Sequence, residues 1–247
     1  MHPASVGFQC PDDVRAGNAG VRRPSRASGL RIAGRRWGPV TLSLIAVNVA
    51  MFLVTAVAAA LAGSSPLDNQ NSQLFFDLTQ IPIYVDVGDW WRPLTAAFLH
   101  YGIVHLALNM LSLLLFGAEV ERLLGRVRFL AVYLGGLLGG AAAVQLFGNP
   151  VGQVAGASTA IYGLFGAVAV VYLQQRLDLR GMLGLIVVNL AFSFLVPGIS
   201  VLGHVGGLVG GAAAAAVLVG ARRSVPVAAA GTAALTAVLL VLIYAVG

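Results

Sequence analysis

The chain of 247 residues contains no lysine, a single cysteine and few charged residues of either sign. All 15 basic residues are arginines, which excludes a lysine Schiff base and a serine–lysine dyad. Because Cys10 is the only thiol, no disulfide can form within one chain. Charged residues make up 10% of the chain and hydrophobic residues 58%, whereas soluble domains carry about 25% charged residues. This composition predicts a membrane-embedded protein.

Long apolar stretches follow a polar N-terminal segment, and each is close to the ~20 residues that a helix needs to cross a bilayer. Runs of this length favour helices over the shorter strands of a barrel. We predict an all-α polytopic membrane protein with a six-helix core at 39–220, an external loop at 63–93 and one additional C-terminal helix within 221–247. The predicted spans are 39–62, 94–117, 127–147, 157–173, 182–199, 202–220 and 226–246.

The arginines predict the orientation, because cytoplasmic loops are enriched in basic residues. Residues 1–38 are polar and arginine-rich, and we expect them to form a disordered, basic cytoplasmic tail. With the N-terminus inside, every arginine except Arg92 falls on the cytoplasmic side. Basic residues that flank membrane spans argue against nucleic acid as a partner, despite the net charge of +6. We therefore expect a multi-pass protein of the cell membrane.

Pairs of glycines spaced four residues apart predict close helix packing. Gly135-Gly136 and Gly139-Gly140 form one such pattern in the third span. Gly206-Gly207 and Gly210-Gly211 form another in the sixth span, immediately after His204. In the third span we expect packing alone. In the sixth span, close approach would also bring His204 towards the facing helix.

Polar groups within a bilayer are costly, so those that occur are candidates for function. No carboxylate lies deep in a predicted span and no HExxH sequence is present, which argues against an aspartyl protease and a zinc protease of that type. We expect no metal and no cofactor. The remaining polar groups are mainly Ser158, His204, His105, His100, Asn109, Asn48, Asn189, Ser112 and Ser193.

Ser158 begins the fourth span two residues after Gly156, which permits close backbone approach. A serine there is either a helix N-cap or a nucleophile. The amides and positive dipole end at a helix start would favour a developing oxyanion beside Ser158. His204 starts the sixth span at a similar depth. A lone buried histidine is often structural, but a neutral imidazole beside a serine hydroxyl can act as a general base.

Other polar residues are placed to support this pair. Tyr162 lies one turn after Ser158 and can hold the imidazole by stacking. His105 and Asn109 share a helix face and can donate hydrogen bonds to an oxyanion, or form a structural interhelical bond. His100 is nearer the surface and is better suited to anchoring a loop. No carboxylate is placed to complete a triad.

These residues together resemble the rhomboid intramembrane serine proteases. The resemblance runs from about residue 40 to 220 and rests on Trp91-Arg92, on 100–110, on Glu119-Val120-Glu121-Arg122, on Gly156-Ala157-Ser158 and on 203–207. It implies Ser158 as nucleophile and His204 as general base. It also implies an oxyanion site from His105, Asn109 and the Ser158 amide, with Tyr162 packed on His204. The seventh span matches the six-plus-one arrangement of bacterial members.

The resemblance implies an endopeptidase that cleaves transmembrane segments of other proteins near the outer membrane face. One alternative is a catalytically inactive relative that binds such segments as a chaperone or adaptor. Another is a transporter with a histidine-lined path. Thr159 stands where the family usually has glycine, which bears on substrate fit. Cys10 resembles the remnant of a zinc-binding N-terminal module, for which we predict no metal site.

Overall fold

The computed structural model describes residues 2–3, 8–9, 36–195 and 198–245. The chain forms two units, Met1–Arg36 and Trp37–Gly247. In the first unit, strands β1 (His2–Pro3) and β2 (Phe8–Gln9) pair antiparallel over two residues each. Of the predicted disordered tail at 1–38, residues 1, 4–7 and 10–35, with Cys10 among them, lie outside the described residues.

Helices make up most of the second unit. Its long helices are α1 (Pro39–Leu61), α5 (Gly102–Leu124), α6 (Arg126–Phe147), α7 (Ser158–Gln175), α8 (Arg180–Leu195), α9 (Val201–Gly220) and α10 (Val225–Tyr244). Three short helices lie between α1 and α5, namely α2 (Gln73–Leu78), α3 (Pro82–Asp86) and α4 (Arg92–Thr95). Two 3₁₀ segments, Pro66–Asn71 and Ala96–Phe98, complete this connection. Within α5, Leu113–Gly117 is π-helical.

The helices confirm an all-α polytopic membrane protein, but the predicted second, fourth and fifth spans (94–117, 157–173 and 182–199) differ from the helices that form there. Among the described residues, α1, α5, α6, α9 and α10 are long and apolar enough to cross a membrane, while α8 is a shorter apolar helix of 16 residues. Helix α7 is enclosed by protein, since every residue from Ala160 to Val168 is buried. The second span was predicted at 94–117, but its helix runs from Gly102 to Leu124. Gly102 has a φ of +73°, which separates the apolar turns before it from α5.

Glycines bring α6, α7 and α9 together backbone to backbone, as the paired glycine pattern predicted. A Cβ atom on Gly139 would lie 2.6 Å from the carbonyl oxygen of Gly206. A Cβ on Gly136 would lie 2.8 Å from the Cα of Gly163, so α6 contacts α7 as closely as it contacts α9. Contact this close needs residues without side chains. It places the start of α7 beside the start of α9.

The loop between α6 and α7 is fixed by backbone hydrogen bonds to the connection between α1 and α5. Gln80 and Val154 exchange amide–carbonyl hydrogen bonds of 3.1 and 2.9 Å. The amide of Gly156 donates to the carbonyl oxygen of Ala96 at 2.9 Å. The Gln80 side chain also donates to the Ala141 carbonyl of α6 at 3.0 Å. These bonds hold the residues that precede Ser158.

The buried side chain of Arg92 stabilises the connection between α1 and α5. Its side chain is 3% exposed and is paired with Asp89 at 2.7 Å. The guanidinium donates to the Phe76 carbonyl at 2.6 Å and to the Thr79 carbonyl at 3.0 Å. It also lies 4.8 Å from the ring centre of Tyr84. These contacts support a structural role for Arg92.

Glu121 caps the first long helix from the far end of α5. Its carboxylate accepts hydrogen bonds from the amides of Val40 and Thr41 at 3.1 and 2.8 Å, and from the Thr41 hydroxyl at 2.8 Å. The residue is buried. Helix N-termini carry unpaired amides and a partial positive charge, so a carboxylate is well suited to this position. Glu121 therefore fastens α1 to α5.

Candidate active site

Ser158 and His204 meet at the starts of α7 and α9. The Oγ of Ser158 lies 2.8 Å from the Nε2 of His204. Ser158 is the first residue of α7, and the N-cap position belongs to Ala157, which provides no side-chain bond. The alternative that Ser158 serves as a helix N-cap is therefore wrong. The hydroxyl is half-buried and bonded to an imidazole, as a nucleophile requires.

The position of His204 is set by its helix and by an aromatic ring. Ser200 is the N-cap of α9, and its hydroxyl accepts from the Gly203 amide at 3.0 Å. The ring of Tyr162 stacks on the imidazole with centres 4.0 Å apart and planes at 14°. The stacking expected of Tyr162 is thus present. It leaves the edges of the imidazole free for hydrogen bonds.

The second nitrogen of His204 contacts a serine of α8. The Oγ of Ser193 lies 2.7 Å from the Nδ1 of His204. It also lies 3.1 Å from the Tyr162 hydroxyl and 2.9 Å from the Asn189 carbonyl oxygen one turn earlier. Ser193 is 3% exposed. His204 therefore lies between two serines, one at each ring nitrogen.

His105 faces Ser158 across a glycine. Its Nδ1 accepts from the Tyr101 amide at 3.2 Å, so the neutral ring carries its hydrogen on Nε2. A Cβ on Gly156 would lie 3.1 Å from this Nε2 and 3.5 Å from the Oγ of Ser158. The φ of Gly156 is +134°. The chain thus leaves a small space between the Ser158 hydroxyl and an N–H donor.

Asn109 lies one turn further along α5 and is 6% exposed. Its side-chain amide donates to the His105 carbonyl within the same helix at 2.9 Å, and its Oδ1 has no hydrogen-bond partner among the described residues. The alternative was a structural bond from this pair to another helix, whereas this bond of Asn109 lies within α5. This bond uses one of the two side-chain amide hydrogens of Asn109, so the other can be donated to a further acceptor.

His100 lies in the connection before α5, outside the spanning helix, and is fully buried. Its carbonyl accepts from the Asn69 side chain at 2.9 Å, and its ring centre is 5.1 Å from that of His105. Burial, followed by the neighbouring His105, lowers the pKa of His100 from 6.5 to about 3. His100 is therefore neutral at physiological pH and packs behind His105.

The sequence profile of the Rhomboid domain family matches residues 87–221, which is more than half of the chain. The chain belongs to the rhomboid family. Its rhomboid domain includes Ser158, His204 and both histidines of the α5 region.

Named rhomboid proteases are among its relatives. Rhomboid protease GluP of Bacillus subtilis (strain 168) is 45% identical over 136 residues, covering 53% of this chain and 26% of that protein. Putative rhomboid protease YdcA of the same organism is 40% identical over 135 residues, covering 50% of this chain and 65% of that protein. Rhomboid protease AarA of Providencia stuartii is 36% identical over 95 residues, covering 38% and 32%. In each case the match spans less than two thirds of the relative.

Thr159, the departure from the usual rhomboid glycine, lies in the helix interface. Its Cγ2 would be 2.8 Å from a Cβ on Gly140 and 3.1 Å from a Cβ on Gly203. Glycines on α6 and α9 therefore provide the room for this side chain. The contacts indicate a packing role, and the effect of Thr159 on substrate fit stays a prediction.

Ser193 is the member of this rhomboid site to which sequence reasoning assigned no role. It stood among the polar residues of the spans, but it lies on a different predicted span from His204, so helical spacing does not relate the two residues. The two residues meet because α8 lies beside the start of α9. The available signal was a hydroxyl in an otherwise apolar stretch, four residues after Asn189.

Proposed function

We propose that this rhomboid is an intramembrane serine endopeptidase that cleaves transmembrane segments of other proteins through Ser158 and His204. The single observation that carries the proposal is the 2.8 Å contact between the Ser158 hydroxyl and the His204 Nε2. An imidazole at this distance can remove the hydroxyl proton as the oxygen attacks a carbonyl carbon.

The two serines on His204 differ in a way that favours Ser158 as the nucleophile. Ser158 is half-buried and borders the space beside Gly156. Ser193 is 3% exposed and is enclosed by Tyr162 and its own helix. A peptide carbonyl can approach Ser158 without the displacement of packed side chains. Ser193 offers no such approach.

The reaction follows from these positions. The Ser158 oxygen attacks the peptide carbonyl, and its proton passes to the Nε2 of His204. The oxyanion receives hydrogen bonds from the Ser158 amide and from the Nε2–H of His105, with Asn109 as a further donor. His204 then gives its proton to the leaving amine as the C–N bond breaks. Water, deprotonated by His204, hydrolyses the acyl-enzyme and restores Ser158.

The orientation of the site is part of the proposal. The arginine distribution supports a cytoplasmic N-terminus in the cell membrane. Helices α7 and α9 would then begin at the external end of the bundle. The site would open outwards and cut substrates near the outer face of the bilayer, where water can reach the acyl-enzyme.

The test uses the full chain, purified and reconstituted in liposomes with a single-span protein substrate. Wild type, Ser158→Ala, His204→Ala and Ser193→Ala are compared by the cleaved fraction over time. We expect cleavage by wild type and none by the first two variants. In parallel, a fluorophosphonate probe is applied and the labelled peptide is identified by mass spectrometry, with Ser158 as the expected site.

Two results would overturn the assignment. Labelling at Ser193, or equal cleavage by wild type and Ser158→Ala, would remove Ser158 as the nucleophile. Absence of both labelling and cleavage in folded wild type, with retained binding of the single-span protein, would establish the inactive adaptor instead. The folded state is checked by thermal unfolding of each variant.

A further inference from the structure

We infer that Ser193 is a positioning residue that fixes the tautomer of His204 so that Nε2 is free to accept the Ser158 proton. The expected effect on the cleavage rate rests on the proposed function, whereas the expected tautomer concerns His204 alone. It begins with three contacts on one oxygen. The Oγ of Ser193 has the His204 Nδ1 at 2.7 Å, the Tyr162 hydroxyl at 3.1 Å and the Asn189 carbonyl oxygen at 2.9 Å.

Only one arrangement of hydrogens satisfies all three contacts. A carbonyl oxygen can only accept, so the single hydroxyl hydrogen of Ser193 points to Asn189. The Ser193 oxygen then has two lone pairs left and accepts from both other neighbours. Tyr162 supplies its O–H, and His204 supplies an N–H at Nδ1. If the Ser193 hydroxyl hydrogen pointed to His204 instead, the Ser193 Oγ and the Asn189 carbonyl oxygen would lie 2.9 Å apart without a hydrogen between them.

This arrangement decides which nitrogen of His204 is basic. A neutral imidazole carries one hydrogen, so a hydrogen at Nδ1 leaves a lone pair at Nε2. That lone pair faces the Ser158 hydroxyl at 2.8 Å. A serine–histidine–carboxylate triad uses its carboxylate to hold the same tautomer. Here a buried hydroxyl, itself oriented by a backbone carbonyl, occupies the corresponding position.

The arrangement also connects α8 to the reaction centre. Within the described part of α8, the buried residues are Met182, Ile186 and Ser193. Ser193 is the polar one of these, and its bonds reach residues of both α7 and α9. The position of α8 therefore affects the orientation of the His204 ring. Ser193 contacts the Nδ1 edge of this ring, which the stacked Tyr162 leaves accessible.

The test observes the tautomer directly. The full chain is labelled with ¹⁵N-histidine in lipid nanodiscs, and His204 is assigned by comparison with His204→Ala. We expect the wild-type spectrum to show hydrogen on Nδ1, and Ser193→Ala to move His204 towards a mixture of tautomers. A wild-type spectrum with hydrogen on Nε2 would overturn the inference without any variant.

Kinetics provide the second measurement. For Ser193→Ala we expect kcat to fall about 10-fold to 100-fold with KM unchanged, a part of the roughly 10²–10⁴-fold that acid–base catalysis contributes. Ser193→Thr, which keeps the hydroxyl, is expected to restore both kcat and the Nδ1–H signal. Ser43→Ala is the matched control, because Ser43 makes the same bond to the carbonyl four residues earlier, at 2.8 Å, without a histidine.

The outcomes separate this inference from the proposed function. Ser193→Ala with the wild-type tautomer and kcat would overturn the inference while cleavage through Ser158 stood. A tautomer change in Ser193→Ala, with Ser158→Ala as active as wild type, would overturn the proposed function and leave the role of Ser193 in fixing His204 intact.

Discussion

The Nε2 of His105 lies 3.1 Å from the point at which a Cβ atom on Gly156 would stand. The Oγ of Ser158 lies 3.5 Å from the same point. The absence of a side chain at Gly156 therefore keeps open a space that borders both the candidate nucleophile and a candidate oxyanion donor. A reacting carbonyl has to approach to about 3 Å from both groups, and a side chain at residue 156 would stand between them.

Gly156→Ala is expected to abolish cleavage and fluorophosphonate labelling. The added methyl would stand 2.9 Å from the Cε1 of His105, and the φ of +134° is unfavourable for alanine. Gly88→Ala is the matched control, since Gly88 has a φ of +117° but no atom of the described part of the chain within 4 Å of its Cβ position. Cleavage is measured for both after thermal unfolding confirms folding. Equal rates for Gly156→Ala and Gly88→Ala would show that the space is not used.

Thr159→Gly tests the packing role of the residue next to Ser158. We expect the free energy of unfolding to fall by about 1–2 kcal/mol, because packing against Gly140 and Gly203 is lost and glycine disfavours helix. The position of the cut in the substrate should stay the same, since these contacts lie in the helix interface. A shifted cleavage site, determined by mass spectrometry of the products, would instead place Thr159 in substrate selection.

Much of the fold followed from the sequence because apolar length and glycine spacing act locally. Runs of apolar residues located α1, α6, α9 and α10 to within two residues at most of their ends. Hydropathy failed before α5, where the apolar residues 94–101 form short turns that end at Gly102. Hydropathy measures the preference for a nonpolar environment, and it does not detect a backbone break between apolar residues.

The site was predictable to the extent that its residues lie in recognisable motifs. Ser158 and His204 start their helices beside characteristic glycines, so their meeting could be inferred. Ser193 lies in no motif, and its contact with His204 depends on how α8 packs against α9. The bond from Asn109 to the His105 carbonyl was equally hidden, because residues four apart on a helix can bond to each other or to a third group.

Acid is expected to destabilise the protein through His100. Its pKa is about 3 in the folded chain and 6.5 ordinarily, so between these values the unfolded chain binds more protons. Stability should therefore rise with pH across this window and be lost as pH falls from about 6.5 towards 3. Thermal unfolding in detergent between pH 7.5 and 4.5 measures the slope. His100→Asn, which does not titrate, should show a shallower slope, and parallel curves would contradict this.

Glu121→Gln is expected to lower the free energy of unfolding by about 2–3 kcal/mol. The substitution replaces a buried carboxylate with a neutral amide, and hydrogen bonds to charged groups contribute roughly 1.5–3 kcal/mol. Glutamine keeps one acceptor oxygen, so its NH2 group faces the amide of either Val40 or Thr41, which can only donate. Chemical or thermal unfolding of the full chain measures the loss.

Glu119→Gln, two residues earlier on α5, tests whether stability falls because the helix cap is lost or because any carboxylate charge is lost. Glu119 is paired with Arg122 at the surface, where the two side chains are 39% and 68% exposed. Exposed ion pairs contribute only about 0–1 kcal/mol, so this variant should unfold almost as wild type does. If both variants lost the same stability, the cap on α1 would not be the cause. A loss confined to Glu121→Gln would instead identify the start of α1 as the point where this helix is held to α5.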